Sequence, residues 1–312
     1  MLSRQLGFIS SWKMLTRDKG WLKPLCVLAL VGWIPIVGQI VVLGYGFEWA
    51  RLTAWGIDAA PKQHGVDYGK VLATGGRAFL VFMSMMLALA LILGLVFRDV
   101  IVSSMLPIYI AFHSAGVSLP IDLGDGLRVG LIDALIALVI NGFAMAAVMR
   151  TTLYDNFAAG WRLDRICQMI GRDPGGFCKM LLVSLVGGLV GFVYSAVMFV
   201  LSGAVVAGGL LAFLMGSPHL IGHVSGEYLI SRALSMGIGP IALIVVLAVA
   251  ALFIYGIISV AMQLVAMNAA GQWFCRFEVG RWGVSADPLP DGVPVKEVPS
   301  SQPEEGSNPY NR

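Results

Sequence analysis

Few residues in this chain could carry chemistry. The histidines are His64, His113, His219 and His223. His219 and His223 have the one-turn spacing at which two imidazoles on a helix can share a zinc ion, but zinc proteases also need a glutamate directly after the first histidine. Here Leu220 follows, and Pro218 and Gly222 favour a loop. In "DLGDGLRVGLID" the carboxylates Asp122, Asp125 and Asp133 stand at relative positions one, four and twelve. A calcium loop needs them at one, three and five, with glycine at six, so these acids read as solvated groups around a turn at Gly124 and Gly126. The run "VLGYGFE" (Val42–Glu48) could align carbonyl oxygens for potassium, as channel filters do. Val42, however, stands where such a filter has threonine, and Leu43 where it has valine. Cys26, Cys167, Cys178 and Cys275 form no CxxC pair and read as small packing residues. Gly-x-Ser-x-Gly, phosphate-loop and dinucleotide motifs are absent. The expectation is a protein with no cofactor and no catalytic set.

What remains is a handful of polar residues within apolar runs: His113, Asp133, Asn141, Gln263 and Asn268. Polar groups at membrane depth are candidates for function by default. Asp133 has no acid or base placed to pair with it in sequence and lies close enough to Leu127 to sit at the interface. Gly187, Gly191 and Ser195 recur every four residues, a spacing that lets two helices approach closely.

The elements that must position these residues are membrane helices. The chain is 58% hydrophobic and 12% charged, with mean hydropathy +0.82. An ordinary soluble domain has about twice that charged fraction. Stretches near the ~20 apolar residues that a span requires are Pro24–Phe47, Phe79–Phe97, Leu127–Met149, Met180–Met215 and Ile238–Met267, with a weaker one at Val100–Pro120. Met180–Met215 is too long for one pass, and Ser202-Gly203 and Gly208-Gly209 are its expected breaks. The fold class expected is an all-α integral membrane protein with four to six transmembrane helices. Residues 1–23 would be a cytoplasmic amphipathic helix, 24–283 the membrane domain, and the Pro-, Ser- and acid-rich 284–312 a disordered cytoplasmic tail.

Three amphipathic stretches precede apolar runs. Phe8, Trp12 and Leu15 oppose Ser10, Lys13 and Arg17; Tyr68, Val71, Leu72 and Gly75 oppose Lys70, Thr74 and Arg77; Leu163, Ile166, Cys167 and Ile170 oppose Asp164, Arg165 and Gln168. Such patterns suit helices lying among lipid headgroups. Glycines then supply elbows into the membrane: Gly20, Gly75 with Gly76, and Gly175 with Gly176. "TRDKGWLKPL" and "GRDPGGFCKML" share Arg-Asp-x-Gly, which suggests an internal repeat.

Lysine and arginine mark cytoplasmic loops. They gather before Pro24 (Lys13, Arg17, Lys19, Lys23), between Arg51 and Arg77, between Arg150 and Lys179 (including Arg165 and Arg172), and after Arg276. If all four clusters share one side, Pro24–Phe47 crosses an even number of times. It is too short for two full passes at 1.5 Å per residue. Pro35 breaks the helical ladder, and Gly38 and Gly44 allow a turn. The reading is a re-entrant hairpin of two half-depth helices meeting at Trp33–Gly38. The rival is one kinked crossing.

"WIPIVGQIVVLGYGFEWAR", "DYGKVLATGGRAF" and "MRTTLYDNFAAGWRLDRICQMIGRDPGGFCKML" together resemble a family of bacterial and archaeal multi-pass membrane proteins, the domain of unknown function numbered 4013. The likeness covers roughly Trp12 to Val200 and departs at Ala60-Pro61-Lys62, where members read Leu-Pro followed by acidic and aromatic residues. The layout is also similar to the membrane domain of some glycerophosphodiester phosphodiesterases. The resemblance implies a plasma-membrane location and no known substrate. Two functions follow as expectations. One is a non-enzymatic membrane protein engaging the cytoplasmic leaflet, a membrane partner complex or a second copy of itself, with membrane lipids as its surroundings and no nucleic acid. The other is a transporter or channel component for a lipid or small solute, with its site at Pro35–Gly38.

Overall fold

In a computed structural model of the chain, residues 5–96, 123–215, 238–277 and 279 are described. They form helices α1 (Phe8–Leu15), α2 (Leu22–Val31), α3 (Val37–Ala54), α4 (Tyr68–Val96), α5 (Leu123–Tyr154), α6 (Phe157–Gly160), α7 (Leu163–Arg172), α8 (Pro174–Met215) and α9 (Ile238–Cys275), with no strand among the described residues. Four segments are long and apolar enough to cross a bilayer: Tyr68–Ala88, Ile136–Tyr154, Pro174–Gly203 and Val245–Cys275. The chain is an all-α, multi-pass membrane protein. His113, the whole Val100–Pro120 stretch and the 284–312 tail lie outside the described residues.

The first apolar run is broken where Pro35 stands. Helix α2 stops at Val31 and α3 starts at Val37, close to the expected joint. Broken backbone in an apolar setting must find its own hydrogen-bond partners, and here it does so locally. Gly32 N–H donates to Leu28 O at 2.7 Å, Ile34 to Val31 O at 2.9 Å, Val37 to Pro35 O at 2.7 Å and Gly38 to Ile34 O at 2.9 Å. The Val37-to-Pro35 bond closes a tight turn around Ile36, which is held at φ 65°, ψ −60°. A β-branched side chain in that region costs on the order of 1–3 kcal/mol. Around the joint, Trp33, Ile34, Ile36 and Val37 are exposed.

Both ends of this broken segment return to one place. Arg17 Nη1 donates to Asp58 O at 2.6 Å. Trp49 Nε1 donates to Ala59 O at 2.7 Å, and Tyr45 OH to Lys62 O at 2.6 Å. The residues before α2 and those after α3 are therefore neighbours, and the chain has reversed between them.

Helix α3 is the centre of the packing. Its second half is buried without a break from Trp49 to Ala54, because α4, α5 and α9 surround it. Gly44 is no part of the hairpin joint; it lies inside α3 at a crossing with α4. A Cβ on Gly44 would strike the Val71 carbonyl, and one on Gly75 the Ile40 carbonyl. The two glycines bring the backbones together.

Several expectations are corrected by these helices. Gly75 and Gly76 are not an elbow: α4 runs unbroken through them, and Gly75 serves the α3 crossing. The third elbow sits at Asp173, one residue before α8, with Gly175 and Gly176 in the first turn of that helix. Asp173 Oδ1 accepts from Gly176 N–H at 3.0 Å as an N-cap, and Arg276 meets its carboxylate at 3.1 Å. Gly20 does occupy a turn, at φ +91°, a conformation that glycine takes without steric cost. Helix α8 passes straight through Ser202-Gly203 and Gly208-Gly209. Away from water nothing competes for its backbone groups, so glycine alone does not open it.

The buried face of α1 also differs from the expected one. Ser10, Ser11, Met14 and Leu15 are buried, because Gln272 of α9 accepts hydrogen bonds from Gly7 N–H and Ser10 Oγ at 3.2 Å each. Gln272 continues to Asn268 Oδ1 at 3.1 Å, and Asn268 to Thr53 Oγ1 at 2.7 Å. This buried polar ladder ties α1 to α3 through α9. In α7 the buried residues are Ile166 and Met169, while Leu163 and Cys167 are exposed.

Candidate functional site

Two polar features are built on this frame. The first is a charge cluster where α3, α4 and the end of α5 meet. Arg51, 1% exposed, reaches Glu48 at 3.1 Å and Asp155 at 3.3 Å. Asp155 also pairs with Arg77, whose Nη1 donates to the Asp155 carbonyl at 2.8 Å. Thr74 Oγ1 donates to Glu48 at 2.6 Å. Two cations and two anions cancel, which is what makes their burial tolerable. Asp155 stands at φ 49°, so the backbone turn after α5 aims its carboxylate at both arginines. The cluster locks the end of the hairpin to α4 and α5, and its charges already face one another.

The second feature is an open cavity of about 580 Å³ bordered by α3, α4, α5, α8 and α9. Phe47, Phe79, Phe82, Met83, Met145 and Met262 supply its apolar walls. Asn141 from α5, Gln263 from α9 and Gln39 from the first turn of α3 reach it as well. A smaller chamber of about 270 Å³ lies between α2, the hairpin joint and α9. Gln39, Tyr255, Ser259 and Gln263 line both chambers, so the hairpin's first polar residue stands where they meet. Such a volume, with apolar walls and a few polar groups, is the ordinary form of a small-molecule site.

Of the polar candidates at membrane depth, the structure brings Asn141 and Gln263 together on this cavity. Asp133 lies in α5, and Asn268 belongs to the ladder beneath α1. Gly187, Gly191 and Ser195 all line the cavity. A Cβ on Gly187 would lie 3.2 Å from Met262, but one on Gly191 would meet nothing within 4 Å. Gly191 thus opens space rather than closing a helix contact. Gln39 was not singled out by sequence, since one amide after a proline break carries no spacing pattern; its place directly behind Gly38 was the available signal. Pro35 and Gly38 shape the joint that sets Gln39 in the cavity. Of the basic residues, Lys13, Arg17, Arg165 and Arg172 are exposed and Arg77 belongs to the charge cluster. Among the described residues, no group of three metal-ligating side chains occurs.

Comparison with known proteins adds one match. None of the curated proteins and none of the solved structures matches the chain. Residues 27–203, more than half of the chain, match the family described as Protein of unknown function (DUF4013). That span takes in the hairpin joint, the charge cluster, Asn141 and the first part of α8 but not α9, and the chain belongs to the DUF4013 family.

Proposed function

We propose that this is a cell-membrane protein that takes an amphipathic small molecule from the bilayer into the cavity beside its hairpin, as a binding or transport component rather than an enzyme. The observation that carries the reading is the convergence of Gln39, Asn141 and Gln263 from three helices on one largely apolar cavity. In hydrocarbon, polar side chains are costly and mark pathways or sites. Broken helices near mid-membrane are a usual place for them.

The hairpin is re-entrant in this reading. Its exposed Trp33, Ile34, Ile36 and Val37 suit hydrocarbon and would be a costly patch in water. In this reading α1, α7 and both termini are cytoplasmic, which the exposed basic residues Lys13, Arg17, Arg165 and Arg172 support. Exposed Ile9, Trp161 and Leu163 beside them form an interfacial collar against the cytoplasmic leaflet. A membrane partner or a second copy would then meet the lipid-facing sides of α8 and α9.

Filling the cavity tests this function. Gly191→Phe puts a ring into open space on the cavity wall, and Gly203→Phe puts one on the same helix, also with nothing within 4 Å and away from the cavity. Purified protein would be exposed to photoactivatable single-chain amphiphiles in nanodiscs. Labelling of cavity peptides should fall at least ~10-fold for Gly191→Phe, the loss of about 1.4 kcal/mol, and stay unchanged for Gly203→Phe. Equal labelling of both variants and the parent would remove the cavity from the account.

A further inference from the structure

We infer that the cavity selects an uncharged head: its ligand is a single-chain amphiphile with hydroxyl or carbonyl groups, of the monoacylglycerol kind, and not an ionised lipid. The inference rests on the binding reading above and deepens it.

Three observations carry it. First, none of the described residues that line either chamber is Lys, Arg, Asp, Glu or His. An ionised head would leave water for a largely apolar site with no counter-charge on its walls. The ion cluster of Arg51, Glu48, Arg77 and Asp155 lies elsewhere, and the buried Arg150 donates to the Ala159 carbonyl and lies over the Tyr154 ring, lining neither chamber. Second, amides are available to a ligand. Among the described residues, the side chains of Gln39 and Asn141 have no hydrogen-bond partner. Gln263 uses one N–H, donated to Ser259 Oγ at 3.2 Å, and keeps its carbonyl and second N–H. A carboxamide both donates and accepts, so this set answers a hydroxyl or an ester carbonyl equally well. Gln39 is exposed and Asn141 and Gln263 are half-buried, so a head can reach all three. Third, the groups are ordered in space. Gln39, Ser259 and Gln263 border both chambers, whereas Phe79, Phe82 and Met145 border only the larger one. The head therefore lies at the junction beside the hairpin and the chain extends along the aromatic wall between α4 and α5.

Competition decides it. Parent protein in nanodiscs of zwitterionic lipid carries a photoactivatable monoacylglycerol. Unlabelled monooleoylglycerol, oleate and lysophosphatidylglycerol are then titrated against it. Monooleoylglycerol should compete at concentrations at least ~10-fold below either charged amphiphile. Gln39→Leu and Gln263→Leu should each weaken it by about 10-fold, one lost buried hydrogen bond, and Gln263→Glu should weaken it by more. If all three compete equally and Gly191→Phe abolishes labelling by the photoactivatable monoacylglycerol, the head-group inference fails while the binding site stands. If Gly191→Phe leaves that labelling unchanged, the site itself fails and the inference with it.

Discussion

An Arg51→Met variant loses most of the protein's margin of stability, about 3–5 kcal/mol, the usual result of stripping one partner from a buried ion cluster. The guanidinium is 1% exposed and lies between Glu48 and Asp155. Methionine keeps much of the volume and removes the charge. Two carboxylates whose side chains are 15% and 10% exposed then lose the guanidinium they share, while Arg77, itself about one-third exposed, still pairs with Asp155. Glu48→Gln should cost much less, because Thr74 can still donate to the amide oxygen at the position where it now donates at 2.6 Å. Thermal unfolding in detergent, followed by loss of the monodisperse peak, measures both. In a double-mutant cycle, Arg51→Met and Asp155→Asn should be non-additive by about 0.5–3 kcal/mol. Additive losses would mean that the two residues do not act as a unit.

The second large effect is expected at the α3–α4 crossing. Gly75→Leu should abolish the folded protein, and Gly75→Ala should cost at least the ~1–3 kcal/mol typical of overpacking. The added Cβ meets backbone, the Ile40 carbonyl, which cannot rotate aside as a side chain can. Gly76 is the internal control. It adjoins Gly75 in the same helix, yet a Cβ there meets nothing within 4 Å. Gly76→Ala should be neutral or stabilising by up to ~1 kcal/mol, the helix-propensity gain. The same unfolding measurement separates the two, and equal behaviour of the pair would show that the crossing is looser than the structure has it.

These two sites also mark the border of what the chain discloses on its own. The hairpin joint was legible because its cause is local: Pro35 removes a donor and the neighbouring glycines permit a turn, all within a few residues. The reason for Gly75 is a carbonyl on α3, 35 positions away in sequence, and two adjacent glycines read more naturally as a bend. Nothing near Glu48 and Arg51 in sequence announces their ion cluster, since Asp155 is 104 positions from Arg51. The α1 face was misjudged for the same reason: Ser10 looked solvated until Gln272, 262 positions away, was placed beneath it. The amides Asn141 and Gln263 could be picked out by their apolar surroundings, but nothing in their spacing announced that both face one cavity. Gly191 shows the limit most plainly, because the same four-residue spacing serves helix contact at Gly187 and an opening one turn later.

The account depends most on the chain entering and leaving the bilayer on one side between Gly20 and Asp58. Single cysteines at Lys13 and Lys62, both exposed, would be placed in a chain whose Cys26, Cys167, Cys178 and Cys275 are replaced by serine. Sealed vesicles of known orientation would then be treated with a membrane-impermeant thiol reagent. The hairpin predicts that both positions label from the cytoplasmic face and neither from the other. Labelling of Lys13→Cys and Lys62→Cys from opposite faces would make α2 and α3 one crossing, and the cavity beside their joint would lose its floor.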